Sequence, residues 1–308
     1  MQRTRREILD ALAAGPVSGP SLAASLDISR AAVWKHVEAL RADGFEIESD
    51  GEGYVLASIP EFGAAAVEFG LDAPFEIEYH DTIGSTNTRA RELASEGAGE
   101  IAVLADEQTG GRGRLDREWS APSGGIWVSI LCRPSLPPAQ VPVYTLAAAV
   151  ATTEAVRELG VDASIKWPND VLVGDDERKL VGILTEMEGE ADRVSWVVVG
   201  IGINANIDRQ EVPETATTLR EEIGDVNRRA LTQAVIERFD ELRRDPQTVI
   251  PAWRGLASTL GTRVRVETPG GDVVGEAVDV EFPGALVVET ASGRQRVSAG
   301  DCEHLRPV

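Results

Sequence analysis

The sequence is poor in the residues that staple small secreted domains or hold metal ions. Its two cysteines, Cys132 and Cys302, cannot form a disulfide framework, and its three histidines stand too far apart for a metal-ligand pattern. It has no apolar run near the ~18 residues of a membrane span, and residues 1–20 are too polar for a secretory signal. We therefore expect a cytoplasmic protein with no resident metal ion and no membrane partner.

Positive charge is also scarce, and it is unevenly distributed. The 308 residues include 30 basic and 51 acidic ones, which gives a formal net charge of −21. Such an acidic excess is typical of halophilic-type proteins, favours solubility and argues against binding to nucleic acid. Residues 1–41 depart from it, because six basic and four acidic residues give them a net charge of +2.

The N-terminal pattern predicts a winged helix-turn-helix. Thr4 with Glu7 matches a capping box that opens a first helix, a short second helix follows Pro20, and Ser29 caps a third. The strands EIES and YVLA, joined by a turn at residues 50–53, predict the wing. The third helix then enters a DNA major groove, unless this is an accessory domain whose charged face contacts only solvent. The DNA-contacting candidates are Ser29, Arg30, Trp34, Lys35, His36 and Arg41.

From residue 70 onwards, strand-like and helix-like stretches alternate, which predicts an α+β domain with a mixed or antiparallel sheet. The amphipathic pattern of residues 230–244 predicts a closing helix. Residues 261–308 contain short strands separated by Pro-Gly and Ser-Gly turns, which predict a separate small β domain.

The first chemical motif is the segment GGRGR at residues 110–114. Glycines let backbone N–H groups approach a phosphate and arginines add bidentate charge, so the segment predicts a phosphate-binding loop. It is not a Walker A loop, because no Lys-Ser or Lys-Thr follows it. Trp119 and a turn at residues 122–125 supply anchors for such a loop. The alternative is a flexible, arginine-rich surface loop.

The second motif is KWPND at residues 166–170, followed by Lys179. The chain has three lysines beside 27 arginines, and two of the lysines fall in this stretch. A lysine at a strand end can neutralise charge that develops on a phosphate, and Asp170 can bind a metal ion or orient an amine. The alternative is a capped hairpin in which Lys166 pairs with a surface acid.

The third motif, GIGINA at residues 200–205, has the spacing of a dinucleotide-binding glycine pattern. That interpretation requires a helix directly after the motif. Asn206, Asp208 and Pro213 instead predict a loop, so we do not expect a dinucleotide site. The glycines then mark either close backbone packing beside a ligand or a plain core strand.

The motifs resemble those of the bifunctional biotin protein ligase and biotin operon repressor family, the BirA type, over essentially the full chain. The following motifs match in order and at similar spacing: Ser85-Thr86-Asn87, Gln108, GRGR, Trp119, KWPND, Lys179, Gly182, Glu186, Gly202-Ile203-Asn204, and the helix-turn-helix with its GEGY wing. The resemblance implies three domains. These are a winged helix-turn-helix at 1–60, a class II synthetase-like ligase domain with a mixed sheet and helices at 61–258, and an SH3-like β-barrel at 259–308.

The resemblance also implies the chemistry, that of a biotin-[acetyl-CoA-carboxylase] ligase. Biotin and MgATP give biotinyl-5′-adenylate, and a lysine of the biotin carboxyl carrier domain of a carboxylase then takes the biotinyl group. The N-terminal domain is expected to repress transcription at operator DNA, and the adenylate-bound protein is expected to be a homodimer. Two alternatives stay open, a lipoate protein ligase and a non-catalytic biotin-sensing transcription factor.

By the same resemblance, most of the motif residues have an expected role. The catalytic candidates are Arg112, Lys179, Lys166 and Asp170, the last as partner of the incoming amine. The biotin-binding candidates are Ser85, Thr86, Asn87, Gln108, Arg112, Gly113, Arg114, Lys179 and Gly182. The candidates for the adenylate loop and ATP site are Gly111, Arg112, Arg114, Trp119, Asn169 and Asn204. An Arg114→Gly variant should still form the adenylate but release it.

Overall fold

A computed structural model describes residues 1–49, 51 and 53–305. Two residues of the predicted wing turn, 50 and 52, and residues 306–308 of the predicted C-terminal domain lie outside the described residues. The described chain has a helical N-terminal part with a small hairpin, a central seven-stranded sheet and a C-terminal five-stranded sheet. The predicted α+β fold class is confirmed. Within the described ranges, no helix is long and apolar enough to cross a membrane.

The N-terminal part is a helix-turn-helix followed by a two-stranded hairpin. Its elements are α1 Arg3–Ala13, α2 Gly19–Ser25, α3 Arg30–Ala42, β1 Glu46–Ser49 and β2 Tyr54–Ser58. Ser29 caps α3 as predicted, because its Oγ accepts a hydrogen bond from the Ala32 N–H at 3.1 Å. The helix-turn-helix prediction is therefore confirmed.

The capping-box prediction for α1 is wrong. The helix begins at Arg3, with Gln2 at the cap position, so Thr4 lies within the first turn. The Gln2 carbonyl accepts hydrogen bonds from the N–H groups of Arg5 and Arg6 in the first turn. Glu7 pairs with Arg3 at 2.8 Å instead of reaching back to Thr4. An ordinary i,i+4 ion pair therefore replaces the expected reciprocal cap.

The hydrophobic core of the N-terminal part extends past the predicted boundary at residue 60. Helix α4 Ala64–Glu68 follows the hairpin, and Phe69 packs edge-to-face against Phe45 with ring centroids 6.1 Å apart. Arg229 and Gln233 of a later helix donate to the Phe69 carbonyl at 2.8 and 2.9 Å. Phe69 therefore joins the N-terminal core to the central domain.

The central sheet has seven strands. They are β3 Glu76–Ile83, β4 Ile101–Gln108, β5 Ile126–Cys132, β6 Ala163–Lys166, β7 Asp170–Val173, β8 Arg178–Gly189 and β9 Val194–Ile203. Their order is β3-β4-β5-β9-β8-β7-β6. The pair β3 and β4 is parallel and the other neighbouring pairs are antiparallel, so the sheet is mixed. The long apolar runs of its middle strands fit a sheet covered on both faces.

Helices cover both faces of this sheet. Helix α5 Thr86–Ser95 packs on one face. The helices on the other face are α6 Pro142–Glu158, α8 Arg228–Arg244 and α9 Pro246–Leu256. A short helix, α7 Leu219–Ile223, lies between α6 and α8 in the sequence. The helix predicted at residues 230–244 is confirmed as α8. Helix α9 was missed, because Pro246 and Pro251 interrupt its pattern. A proline in the first turn is compatible with a helix, since that N–H has no intrahelical partner.

The C-terminal part is a five-stranded antiparallel sheet with the predicted short strands. They are β10 Arg263–Glu267, β11 Val273–Glu281, β12 Ala285–Thr290, β13 Gly293–Val297 and β14 Asp301–His304. His304 Nε2 lies 3.0 Å from Thr259 Oγ1, which accepts the Trp167 N–H at 2.9 Å. This sheet therefore contacts the KWPND turn through Thr259, and Trp167 Nε1 also donates to the carbonyl of Gly284, between β11 and β12, at 2.9 Å.

Candidate active site

A cavity of about 250 Å³ opens between the start of α5, the glycine–arginine loop and the middle of β8 and β9. The residues that line it come from segments that are far apart in the sequence. Its lining includes most of the predicted site residues: Ser85, Thr86, Asn87, Gln108, Arg112, Gly113, Arg114, Trp119, Asn169, Asp170, Lys179, Gly182 and Asn204. The motifs identified in the sequence therefore form one site.

One part of the cavity is built by the start of α5 and the end of β4. Ser85 caps α5, and its Oγ accepts the Thr88 N–H at 3.4 Å. Gln108 is the last residue of β4, and its Oε1 accepts both the Thr86 N–H at 2.8 Å and the Thr86 hydroxyl at 3.1 Å. Because the Gln108 oxygen is engaged in this way, its amide nitrogen is the group that can donate to a ligand.

Asn87 is fixed by contacts from three strands. Its Nδ2 donates to Glu186 Oε2 of β8 at 2.8 Å, and its Oδ1 lies 2.5 Å from the Ser129 hydroxyl of β5. On β9, a Cβ at Gly200 would lie 2.1 Å from Asn87 Oδ1, so only glycine leaves room for this amide. The predicted close backbone packing at residues 200–205 is therefore present. Sequence reasoning missed Ser129 and gave Glu186 no role.

Trp119 lies on a second pair of glycines, further along the same strands. A Cβ at Gly182 would be 2.8 Å, and one at Gly202 3.0 Å, from the Trp119 ring. The ring also packs edge-to-face against Trp127 with centroids 6.4 Å apart. Its buried Nε1 has no hydrogen-bond partner among the described residues, so it remains a donor for a bound molecule. Since Gly202 is two residues beyond Gly200, the Trp119 and Asn87 subsites are about 7 Å apart.

The glycine–arginine segment is an anchored loop. Arg114 Nη1 donates to Asn169 Oδ1 at 3.0 Å, and its Nη2 donates to the Gly300 carbonyl at 2.7 Å. Gly111, which lies outside the cavity lining, accepts the Trp119 N–H at 3.0 Å through its carbonyl. These bonds connect the loop to the KWPND turn and to the residue that precedes β14.

Lys179 is the lysine that reaches the cavity. Its Nζ lies 2.7 Å from Asp170 Oδ1 and 5.1 Å from the centre of the Trp119 ring. Lys166, also predicted to be catalytic, lies outside the lining because it ends the edge strand β6, one strand further out than Asp170. Burial raises the pKa of the nearby Cys302 thiol to about 12, and the charge of Lys166 opposes that shift.

Asn204 holds a loop against the cavity. It is buried, and its Nδ2 donates to the Thr217 carbonyl at 3.0 Å. The loop also pairs with Lys179, whose N–H donates to the Thr215 carbonyl at 2.9 Å. Val212 and Ala216 of this loop line the cavity and were not predicted, because the sequence between β9 and α7 is acidic and irregular. As predicted, the residues directly after β9 form a loop and not a helix.

A charge cluster lies next to the site on the side of the N-terminal domain. Arg228 Nη1 donates to Asp106 Oδ1 at 2.6 Å, and its Nε donates to Glu61 Oε1 at 2.7 Å. Burial alone would raise the pKa of Asp106, but hydrogen bonds from Ser123 and Arg228 together lower it below its usual range. Asp106 lies two residues before Gln108 on β4, and Glu61 lies in the segment that follows the wing. The bonds of Arg228 to both carboxylates therefore connect the cavity wall to that segment.

The predicted DNA-contacting residues lie mostly on the outer face of α3. Trp34 is 58% exposed, and Ser29, Arg30 and Lys35 are exposed as well. His36 is partly buried, and burial lowers its pKa, with a further decrease from the charges of Arg5 and Lys35.

Arg41, one of the DNA-contacting candidates, forms hydrogen bonds with the wing instead of lying free on the outer face of α3. Its Nε donates to the Ile47 carbonyl at 2.9 Å, and its Nη2 donates to Ser49 Oγ at 2.8 Å. It also pairs with Glu38 at 2.7 Å. Arg41 therefore attaches α3 to the wing strand.

The cavity, which lies on a mixed sheet beneath a glycine–arginine loop, is formed largely by the part of the chain that a family model of protein ligases matches. The Biotin/lipoate A/B protein ligase family model matches residues 79–204. The Biotin protein ligase C terminal domain model matches residues 259–305, and an HTH domain model matches residues 4–55.

Individual relatives narrow this class. The chain is 37% identical over 305 residues to the bifunctional ligase/repressor BirA of Bacillus subtilis, with 93% of each chain covered. It is 30% identical over 286 residues to the protein of the same name from Escherichia coli, with 88% of each covered. The structure of biotin protein ligase from Aquifex aeolicus in complex with biotin and ATP matches at 28% identity with a TM-score of 0.63, covering 75% of this chain and 99% of that one. This chain belongs to the bifunctional biotin protein ligase and repressor family, as its motifs predicted.

Proposed function

We propose that the chain is a biotin-[acetyl-CoA-carboxylase] ligase. It forms biotinyl-5′-adenylate from biotin and ATP and transfers the biotinyl group to a lysine of a biotin carboxyl carrier domain. The observation that carries the proposal is the composition of the cavity, which has the amides and hydroxyls of Thr86, Asn87 and Gln108 in one part and Lys179 in another. Thr86 and Asn87 are paired within the protein, which leaves the Gln108 amide N–H as the donor for a ligand. The ureido oxygen of biotin can accept from this N–H, whereas the dithiolane ring of lipoate has no such acceptor and would leave it unpaired.

The biotin subsite is formed by the start of α5, the end of β4 and the strand glycines. Its proposed residues are Ser85, Thr86, Asn87, Gln108, Gly113 and Gly182, with Arg112, Arg114 and Lys179 at the carboxylate. The ring then binds near Asn87 and the carboxylate points towards Trp119 and Lys179. The ~7 Å between the Asn87 and Trp119 subsites leaves room for an aliphatic chain between ring and carboxylate.

Adenylation brings two negatively charged groups together. A carboxylate oxygen of biotin bonds to the α-phosphorus of ATP, the bond from that phosphorus to the bridging oxygen breaks, and pyrophosphate leaves. Lys179 and Arg112 supply the positive charge that this step requires. Lys179 moves from Asp170 to the phosphate when the nucleotide binds.

The adenylate is held by the loop and the turn. Gly111, Arg112, Arg114, Trp119, Asn169 and Asn204 are the proposed contacts. Magnesium enters with ATP on its phosphate oxygens and water, which suits a small, strongly hydrated cation. Among the described residues, no group of three or more His, Cys, Asp or Glu side chains is arranged to hold a metal ion.

Transfer to the carrier uses the side of the cavity next to the KWPND turn. The lysine nitrogen of the carrier bonds to the biotinyl carbonyl carbon, the bond from that carbon to the adenylate oxygen breaks, and AMP leaves. Once Lys179 has turned to the phosphate, Asp170 is available to accept the proton that the amine loses. Lys166 lies one strand away and contributes through charge only.

A direct assay tests the proposed function. Labelled biotin and labelled lipoate are incubated separately with ATP, magnesium and the protein. We expect adenylation of biotin alone, followed by transfer to a carrier domain. Adenylation of lipoate would instead support a lipoate ligase, and no reaction with either acid would support a sensor without catalytic activity.

We also propose that the N-terminal domain represses transcription by binding operator DNA as an adenylate-bound homodimer in a salt-rich cytoplasm. The exposed residues of α3 and the local positive charge of residues 1–41 support DNA contact. An increase in sedimentation coefficient on adding biotin and ATP tests the dimer, and an unchanged coefficient argues against it.

A further inference from the structure

Ser129 lies in the middle of β5, directly behind the cavity wall. Its side chain is fully buried, at 0% exposure. The flanking residues of β5 are apolar, so a polar side chain here has to find its partners within the protein. Its neighbour Val128 lines the cavity, whereas Ser129 acts only through other residues.

The Ser129 hydroxyl has two acceptors on α5. Its Oγ lies 2.7 Å from Thr86 Oγ1 and 2.5 Å from Asn87 Oδ1, and it donates to both in a three-centre arrangement. Thr86 passes its own proton to Gln108 Oε1, so its oxygen is an acceptor towards Ser129. The Asn87 nitrogen is engaged with the Glu186 carboxylate, which accepts only, so its oxygen faces Ser129.

These bonds fix the direction of every hydrogen bond at this part of the cavity. The hydroxyl of Ser129 supplies a proton, Thr86 relays its own proton to Gln108, and Gln108 is left with its N–H groups for a ligand. Without Ser129, the Asn87 oxygen would lose its donor in a buried position, where an unpaired acceptor is costly. Thr86 could then turn its hydroxyl away from Gln108.

We infer that Ser129 is a positioning residue for the acid substrate, acting through Thr86, Asn87 and Gln108. This inference rests on the proposed function only in taking biotin as the ligand. It predicts that Ser129 affects the affinity for the acid and leaves the nucleotide subsite at Trp119 unchanged.

The test compares Ser129→Ala with the control Thr152→Val. Thr152 is equally buried, and its hydroxyl bonds only to the backbone of α6 on the opposite face of the sheet. Calorimetric titration should show that the Kd for biotin is about tenfold higher in Ser129→Ala than in the wild type. The KM for ATP should stay within about twofold of wild type, and the control should bind both substrates normally.

A second variant keeps the test decisive if Ser129→Ala does not fold. Ser129→Cys replaces the hydroxyl by a weak donor, so its affinity for biotin should lie between those of wild type and Ser129→Ala. In an Asn87→Ala background, loss of the Ser129 hydroxyl should cost clearly less than in the wild type, because one of its two acceptors is gone.

Several outcomes would overturn the inference. Wild-type affinity for biotin in Ser129→Ala would do so, as would equal losses of biotin and ATP affinity, which indicate general loosening of the fold. Failure of the wild-type protein to bind biotin would count against the proposed function instead, so the two failures are distinguishable.

Discussion

The Lys179 ammonium group has two possible partners. In the described structure it lies 2.7 Å from Asp170, and both side chains are partly exposed. An ion pair of this kind is worth only about 0–1 kcal/mol, because solvent screens it. A phosphate with several charged oxygens can therefore compete for Lys179 at little cost. The pair with Asp170 keeps the lysine beside the cavity until the nucleotide arrives.

Replacing Lys179 should slow the first step much more than it weakens biotin binding. We expect Lys179→Gln to reduce the rate of adenylate formation by about 10²-fold or more, because a positioned charge on the transition state is lost. Pyrophosphate release under single-turnover conditions measures this rate. The matched control is Arg178→Gln. It removes the positive charge of the preceding residue, whose side chain pairs with Glu221 and Glu222. Similar losses in both variants would show that Lys179 has no special role.

The glycine–arginine loop is the element through which three parts of the chain meet. Arg114 connects it to Asn169 of the KWPND turn and to Gly300, which directly precedes β14 of the C-terminal sheet, at 3.0 and 2.7 Å. Each bond has a charged donor, which makes it stronger than a bond between neutral groups. The C-terminal sheet therefore helps to hold the loop over the cavity, a role that its own sequence does not reveal.

Replacing Arg114 should open the loop without stopping adenylation. We expect Arg114→Gly to form adenylate and release it, since both anchors are lost and water reaches the mixed anhydride. Biotinylation of a bystander protein that lacks a carrier domain should then rise about tenfold or more over wild type. Arg117→Gly is the control, because Arg117 lies in the same loop but makes an exposed pair with Asp301. Full selectivity for the carrier in Arg114→Gly would refute this role.

At the scale of the whole molecule, the order of the helical N-terminal part, the central sheet and the C-terminal sheet followed from the sequence, and most of the predicted site residues line the cavity. Local motifs such as GRGR and KWPND can be recognised in the sequence because the residues that act together are close to one another along the chain. Ser129 could not be found in this way, since its partners lie 42 and 43 residues away and it stands within an apolar strand. The same holds for the position of Lys166, which depends on strand order and not on its motif.

The errors in secondary structure also have physical causes. Helix α9 was missed because Pro246 and Pro251 mask a helix whose stability comes from burying Val249 and Trp253 against the core. The cap at Thr4 was wrong because the sequence cannot show that the helix begins two residues earlier, with Gln2 as its cap. At these positions the folded structure, and not the local sequence pattern, determined the secondary structure.

The acidic excess of the whole chain predicts that salt stabilises it. Repulsion among charges that sum to −21 acts over long distances, and the screening length falls from about 10 Å at 0.1 M salt to about 3 Å at 1 M. Close pairs, such as Arg243 with Glu100 at 2.6 Å, are partly buried and lie within that length at either concentration. Screening should therefore remove more repulsion than attraction.

We accordingly expect the Tm to rise by several degrees between about 0.1 and 1 M potassium chloride, measured by scanning calorimetry. Sucrose at equal osmolality is the control, because it stabilises through exclusion from the surface without screening charge. A rise with potassium chloride well above that with sucrose assigns the effect to charge. If the Tm fell with salt, the ion pairs and not the net repulsion would dominate the stability. The same salt would weaken DNA contact by α3, since the counterions that binding releases from the DNA phosphates gain less entropy on entering a concentrated salt solution. The acidic body and the basic N-terminal segment would then respond to salt in opposite directions within one chain.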